Sequence, residues 1–200
     1  MRVAIALLLG TSLALSACGQ GASQTEAVGS GTVDAARIIA ARPAEWLSTG
    51  RTYDEQRFSP LSAINQATIG QLGLAWSADM DTNRGQEATP LFIDGTLYVS
   101  TAWSIVKAYD ARSGKLLWSY DPEVPRETLV KACCDAVNRG VAAWGDKLFV
   151  GTLDGRLLAI NRKSGKPVWS VVTLDQTKNY TITSAPRVVN GLVVIGNGGA

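Results

Sequence analysis

The sequence predicts an all-β chain built of β-propeller blades, and two observations carry that reading. Ala108, Asp110, Ser113, Gly114, Lys115 and Trp118 recur as Ala159, Asn161, Ser164, Gly165, Lys166 and Trp169, an offset of 51 throughout. After Pro60, short β-branched and aromatic runs alternate with Asp94-Gly95, Asp154-Gly155 and Asn190-Gly191. Such dipeptides favour tight hairpins, because both central positions need positive φ. Repeats of this period with several short strands each form blades.

Taken in order, the chain opens with Arg2 and an uncharged, mostly apolar run from Val3 to Ala17. That run is shorter than the ~20 residues of a membrane span, so residues 1–17 read as a secretory signal. Leu15, Ser16, Ala17 and Cys18 are similar to a lipobox, which would make Cys18 the site of lipidation; ordinary cleavage with Cys18 incidental is the alternative. The expected location is the periplasm, with a membrane contact only through that lipid. Residues 18–33, rich in Gly, Ser, Thr, Ala and Gln, read as a tether. Asp34 can cap a short helix through Ala41, with Pro43 just past its end.

Residues 34–200 hold the repeats. Leu97, Tyr98 and Val99 recur as Leu148, Phe149 and Val150, and a third copy begins at Ala185-Pro186, echoing Thr89-Pro90, and reaches Val193, Val194 and Ile195. Within each copy, Ser-Gly-Lys makes the turn between the last two strands. Asp110 or Asn161 can bond its own turn, and the indole can cover the seam to a neighbouring blade, its N–H on a carbonyl. Closed propellers have about 4 to 8 blades. Two to three are present, so the sequence reads as the truncated N-terminal part of a longer propeller, inactive alone.

Composition removes several function classes. Without Arg2 the 19 basic residues become 18 against 17 acidic ones, which gives no sign of a nucleic-acid partner. No histidine occurs in the 200 residues, so a His base, His metal ligands and a CxxCH haem site are excluded from this stretch. Beyond Cys18 the cysteines are Cys133 and Cys134 alone. Adjacent Cα atoms stand ~3.8 Å apart, below the ~4.4 Å lower edge of ordinary disulfides, so closing this pair makes a strained ring of the kind found at functional sites. Two free thiols, or pairing with another chain, are the other states open to it.

The Ala-x-Asp-x-x-Ser-Gly-Lys-x-x-Trp repeat resembles the tryptophan-docking motif of pyrroloquinoline quinone (PQQ) dehydrogenases. Trp46 with GRTYDEQRFSPLSAIN from Gly50 to Asn65, then GQEATP, the Cys-Cys pair, NRGVA and GNGGA extend the likeness from about Asp34 to Ala200. Together they resemble the periplasmic quinoprotein and quinohaemoprotein alcohol dehydrogenases. The resemblance implies an eight-bladed propeller with PQQ on its axis beside a calcium ion. The implied reaction oxidises a small-molecule alcohol to an aldehyde and passes electrons to cytochrome c; a haem c domain further along is left open.

Residue by residue, the resemblance implies cofactor contacts at Glu87, Arg139, Thr183, Gly199 and Ala200, and a Cys133–Cys134 disulfide stacked on the quinone ring. A carboxylate at Glu87 can accept from the cofactor's ring N–H, and the planar fork of Arg139 suits a cofactor carboxylate. Thr183 offers a hydroxyl to a second carboxylate, and Gly199 and Ala200 let backbone pass close to the ring. From the residues alone, Glu87 could equally be an exposed loop glutamate, Arg139 a surface ion pair and Gly199-Ala200 a strand-end turn. A calcium-ligating glutamate is expected just after Ala200, with the remaining ligands and an aspartate base further on. No catalytic residue and no metal ligand is therefore expected in this stretch. A non-enzymatic propeller lipoprotein, like the scaffold subunit of the outer-membrane barrel-assembly machinery, is the alternative; it would not need Glu87, Cys133, Cys134 and Arg139 together. A quinoprotein sugar dehydrogenase would not be expected to carry adjacent cysteines.

Overall fold

A computed structural model describes residues 31–199. The signal, Cys18, most of the expected tether and Ala200 lie outside the described residues. At the N-terminal side, Asp34 Oδ1 accepts from the Arg37 N–H at 2.8 Å and caps helix α1 (Ala35–Ala40). Ala41 turns left-handed (φ 47°) and returns its N–H to the Ile38 carbonyl, which ends the helix one residue before the expected limit. Val33 is fully buried and bridges Gly145, so the chain is already tied into the fold at that residue.

Strands begin later than the change of pattern at Pro60 suggests. The first is β1 (Leu91–Ile93), and between α1 and it the described residues carry a 3-10 turn at Ile69–Gln71 and an isolated bridge from Trp46 to Phe92. β1 pairs antiparallel with β2 (Thr96–Ser100), then β3 (Val106–Asp110) and β4 (Leu116–Tyr120), giving one four-stranded blade. β5 (Ala142–Trp144), β6 (Lys147–Gly151), β7 (Arg156–Asn161) and β8 (Pro167–Val172) repeat it in the same order. A third unit starts with β10 (Arg187–Val189) paired to β11 (Leu192–Val194), and β9 (Tyr180–Thr181) pairs with β12 (Gly198–Gly199).

Two of the three expected hairpins have the expected geometry. Asp94-Gly95 (φ 51° and 77°) closes β1–β2, and Asn190-Gly191 (φ 50° and 77°) closes β10–β11. Asp154-Gly155 differs: only Gly155 is left-handed (φ 86°), and the loop spans the four residues from Thr152. The reason is local bonding, since the Thr152 hydroxyl reaches Asp154 and accepts from the Arg156 N–H at 3.1 Å, which widens the turn.

The repeated motif does what its chemistry suggests. Asp110 Oδ1 accepts from the Ser113 N–H at 2.8 Å and hydroxyl at 2.7 Å, and Asn161 Oδ1 accepts from Ser164 at 3.0 and 3.1 Å. The Ser113 hydroxyl, with its backbone N–H, holds the Asp110 carboxyl below its usual value of 3.8. A carboxyl lowered on folding contributes stability that is full above its ordinary value and is lost as pH falls through the lower folded one. Asp110→Asn, which copies the second repeat, is expected to remove that part of the acid sensitivity; urea unfolding of both proteins between about pH 5 and pH 2 checks it.

Trp118, on β4, crosses to the next blade. Its Nε1 donates to the Arg162 carbonyl at 3.1 Å, and its ring lies on Gly165. Alternation along the strands then fills both faces of the second blade. Leu148, Val150, Leu158 and Ile160 face Leu91, Ile93, Tyr98 and Val106 of the first blade, together with Val33, Ile38 and Leu47. Phe149, Leu157 and Ala159 point the other way, towards Val188, Val193 and Ile195.

Candidate functional site

The inner strands of successive blades are preceded by short segments that meet one another. The Thr89 N–H donates to the Arg139 carbonyl at 3.3 Å, and the Arg139 N–H to the Thr183 carbonyl at 2.9 Å. A Cβ on Gly140 (φ 132°) would stand 3.2 Å from the Thr89 carbonyl oxygen and 3.4 Å from Ala185 Cβ. Glycine is thus required where the three segments converge.

That convergence brings three of the expected cofactor residues together. Arg139 Nη2 pairs with Glu87 Oε2 at 2.8 Å, and Arg139 Nη1 donates to Thr183 Oγ1 at 2.6 Å. The Arg139 and Glu87 side chains stay 42% and 39% exposed, so the cluster opens onto solvent. A guanidinium offers five N–H donors in a planar fork, and these contacts engage two of its nitrogens. The set is one carboxylate acceptor, one permanent cation and one hydroxyl. It fits a ligand that bears carboxylates and a ring N–H.

The other expected residues lie on other segments of the chain. Cys133 and Cys134 follow the 3-10 helix Arg126–Lys131, are exposed, and have their Sγ atoms placed in bonding contact with Cα atoms 3.8 Å apart. Gly199 lies in β12, where a Cβ would stand 2.5 Å from the Tyr180 ring, so its small size answers first to that packing. Ala200 is outside the described residues.

Asn138 was not foreseen. It is 1% exposed, and its Oδ1 accepts from the Ser100 hydroxyl at 2.6 Å and the Gly140 N–H at 3.1 Å. Its Nδ2 donates to the Ser104 hydroxyl at 3.2 Å and the Gly151 carbonyl at 2.9 Å. These four bonds fix the residue before Arg139 to the ends of β2 and β6. A signal existed in the repeat, because the offset of 51 carries Glu87 onto Asn138. Trp76 was also missed: its Nε1 donates to the Ala111 carbonyl at 3.0 Å and its ring covers Gly114, as Trp118 does on Gly165. The shared Trp-Ser pair, 76–77, 118–119 and 169–170, could have shown it.

Four-stranded blades joined by indoles docked on Ser-Gly turns, with polar groups gathered ahead of the inner strands, define a tryptophan-docked β-propeller. The chain belongs to the PQQ family described as glucose/ethanol/alcohol dehydrogenase, beta-propeller domain, whose model matches residues 46–199. It is 60% identical over 171 residues to quinohemoprotein alcohol dehydrogenase ADH-IIG of Pseudomonas putida, covering 84% of this chain and 24% of that one. The solved structure of ADH-IIG aligns with a TM-score of 0.82 at 59% identity, over 84% of this chain and 25% of that one. The 1-butanol dehydrogenase (cytochrome c) of Thauera butanivorans is 57% identical over 157 residues, 78% of this chain and 23% of its own. A europium-containing methanol dehydrogenase aligns with a TM-score of 0.78 at 36% identity, over 82% of this chain and 29% of that one. The chain therefore spans about a quarter of the length of the curated relatives it matches.

Proposed function

We propose that this chain is the N-terminal part of a periplasmic PQQ- and calcium-dependent alcohol dehydrogenase that passes electrons to a cytochrome c. The observation that carries the reading is the meeting of Glu87, Arg139 and Thr183 at one point ahead of the inner strands. Arg139 and Thr183 would hold carboxylates of the cofactor, Glu87 would accept from its ring N–H, and Cys133–Cys134, as a disulfide, would wall one face. When bound, PQQ would supply a two-electron acceptor for the hydride of the alcohol, with calcium as Lewis acid. The residues of this chain bind and orient; the proton is taken by groups beyond it. The relatives named for quinohaemoprotein alcohol oxidation and for a cytochrome c acceptor support the substrate class and the electron partner. Export through residues 1–17, with lipidation at Cys18, belongs to the same proposal.

The test is the whole gene product, titrated with PQQ and calcium. Bound-cofactor absorbance and alcohol-dependent dye reduction are expected. Arg139→Leu removes a charge-assisted hydrogen bond and should weaken PQQ binding about a hundredfold. Absence of both signals in the wild type would overturn the proposal, and a europium or other lanthanide requirement in place of calcium would correct its metal.

A further inference from the structure

The Cys133–Cys134 step is gripped by groups that have no part in the contacts assigned above. Directly after it, Asp135 is left-handed (φ 73°), a conformation an L-residue adopts at a cost that Asp tolerates better than most. Its carboxylate pairs with Arg84, whose guanidinium carbon also lies 5.3 Å over the Trp103 ring. Trp103 is left-handed as well (φ 64°), donates its N–H to the Ala136 carbonyl at 2.8 Å, and carries Arg126 over its ring at 4.1 Å. Leu129 and Ala132, just before the cysteines, pack with Trp103 against Val124, Ala136 and Leu153. Both flanks of the step therefore meet at Trp103 and the small apolar cluster it packs on.

Arg84 has a second connection, through the chain, because Glu87 lies three residues after it. The side chain that holds Asp135 is thus on the loop that presents Glu87. We infer that Arg84 and Asp135 form a clamp that sets the spacing between the Glu87 loop and the Cys133–Cys134 step. Arg84 is a positioning residue, acting through Asp135 and Trp103 on groups that face the ligand. The inference rests on the reading of this site as a PQQ pocket. It adds a residue whose charge is needed for the pocket to keep its width.

The experiment uses the whole protein with calcium, and three variants. Arg84→Met keeps the aliphatic stem and removes the charge; Asp135→Asn keeps a residue tolerant of positive φ and removes the other charge; Arg84→Lys restores a cation without the fork. Arg84→Met, which loses both an ion pair and a cation–π contact, should weaken PQQ binding about tenfold, and Asp135→Asn, which loses the ion pair alone, about threefold. Their double variant should bind no more weakly than Arg84→Met alone. In the cofactor-free protein both should also speed reduction of the cysteine pair by a phosphine several-fold, with Arg84→Lys intermediate on each measure. Unchanged PQQ affinity in Arg84→Met and Asp135→Asn would overturn the clamp, whether or not the phosphine rate moved. Failure of the wild type to bind PQQ is a different result: it would sink the proposed function, and an unchanged phosphine rate would then sink the clamp too.

Discussion

Replacing Gly165 by alanine is expected to lower the unfolding free energy by about 4 kcal/mol, from two independent penalties. Gly165 has φ 70°, where an L-residue costs about 1–2 kcal/mol. A Cβ there would stand 2.7 Å from Trp118 Cδ2 and 2.8 Å from Cε3, an overlap that must be relieved by movement. The indole has little room to move, because its Nε1 is bonded to the Arg162 carbonyl at 3.1 Å and its ring leans on Tyr98 at 6.0 Å. Overpacking of this kind costs a further 1–3 kcal/mol. Trp118→Phe, which removes only the indole–carbonyl bond and some contact area, should cost about 1–2 kcal/mol. Urea unfolding measures all of these, and a loss below about 1 kcal/mol for Gly165→Ala would mean that the seam is not packed as described.

The blades were legible because their signals are local. Ser-Gly-Lys turns, period-2 burial and Asn-Gly hairpins each act within a few residues, and the offset of 51 shows the same solution used twice. Asp154-Gly155 was misread because the Thr152 hydroxyl, two residues upstream, competes for the turn. From Pro60 to Pro90 the apolar residues suggest strands, yet they gain no ladder partner among the described residues. Leu61, Ile64, Leu72 and Leu74 remain exposed there. Composition alone does not tell a strand from an extended segment whose partner is elsewhere.

The site was legible in part, and the division is physical. Glu87, Arg139 and Thr183 each stand in a recognisable flanking motif, and the fold brings Glu87 and Thr183 within hydrogen-bond reach of Arg139. The ion pair of Glu87 with Arg139 is also the plain surface contact that the residues alone allowed, and the fold adds Thr183 as a third partner. Asn138 and Arg84 escaped notice because they act on backbone and on other side chains, through contacts 13 to 51 residues distant in sequence. Such partners are invisible until the blades are stacked.

Arg37→Met is expected to cost about 3–5 kcal/mol, the price of stranding a buried carboxylate. Arg37 and Glu45 have side chains 7% and 3% exposed, and Arg37 reaches Glu45 Oε1 at 2.6 Å, Asp94 Oδ1 at 2.6 Å and the Gly31 carbonyl at 2.6 Å. Asp94 is shared with Arg162, 6% exposed, at 2.8 Å. Two cations thus balance two anions, joining α1 to the first hairpin of one blade and the docking turn of the next. Burial works against the charge of Arg37, but its bonds to Glu45 and Asp94 outweigh that and hold the guanidinium above its usual value. Among the described residues, Glu45 Oε2 and Arg162 Nε are already buried without a hydrogen-bond partner, so the network has little slack to absorb a loss. Without Arg37, the only cation left near Glu45 among the described ion pairs is the half-exposed Arg42 at 3.9 Å. Arg162→Met should cost less, about 1–2 kcal/mol, since Asp94 keeps Arg37. Replacing Arg37 and Glu45 together by methionine should recover most of the stability, because it removes the stranded charge with its partner. Buried pairs are poorly screened, so the deficit of Arg37→Met should be nearly the same in 0.05 M and 0.5 M salt; a deficit that vanished at high salt would show that the network is a surface one.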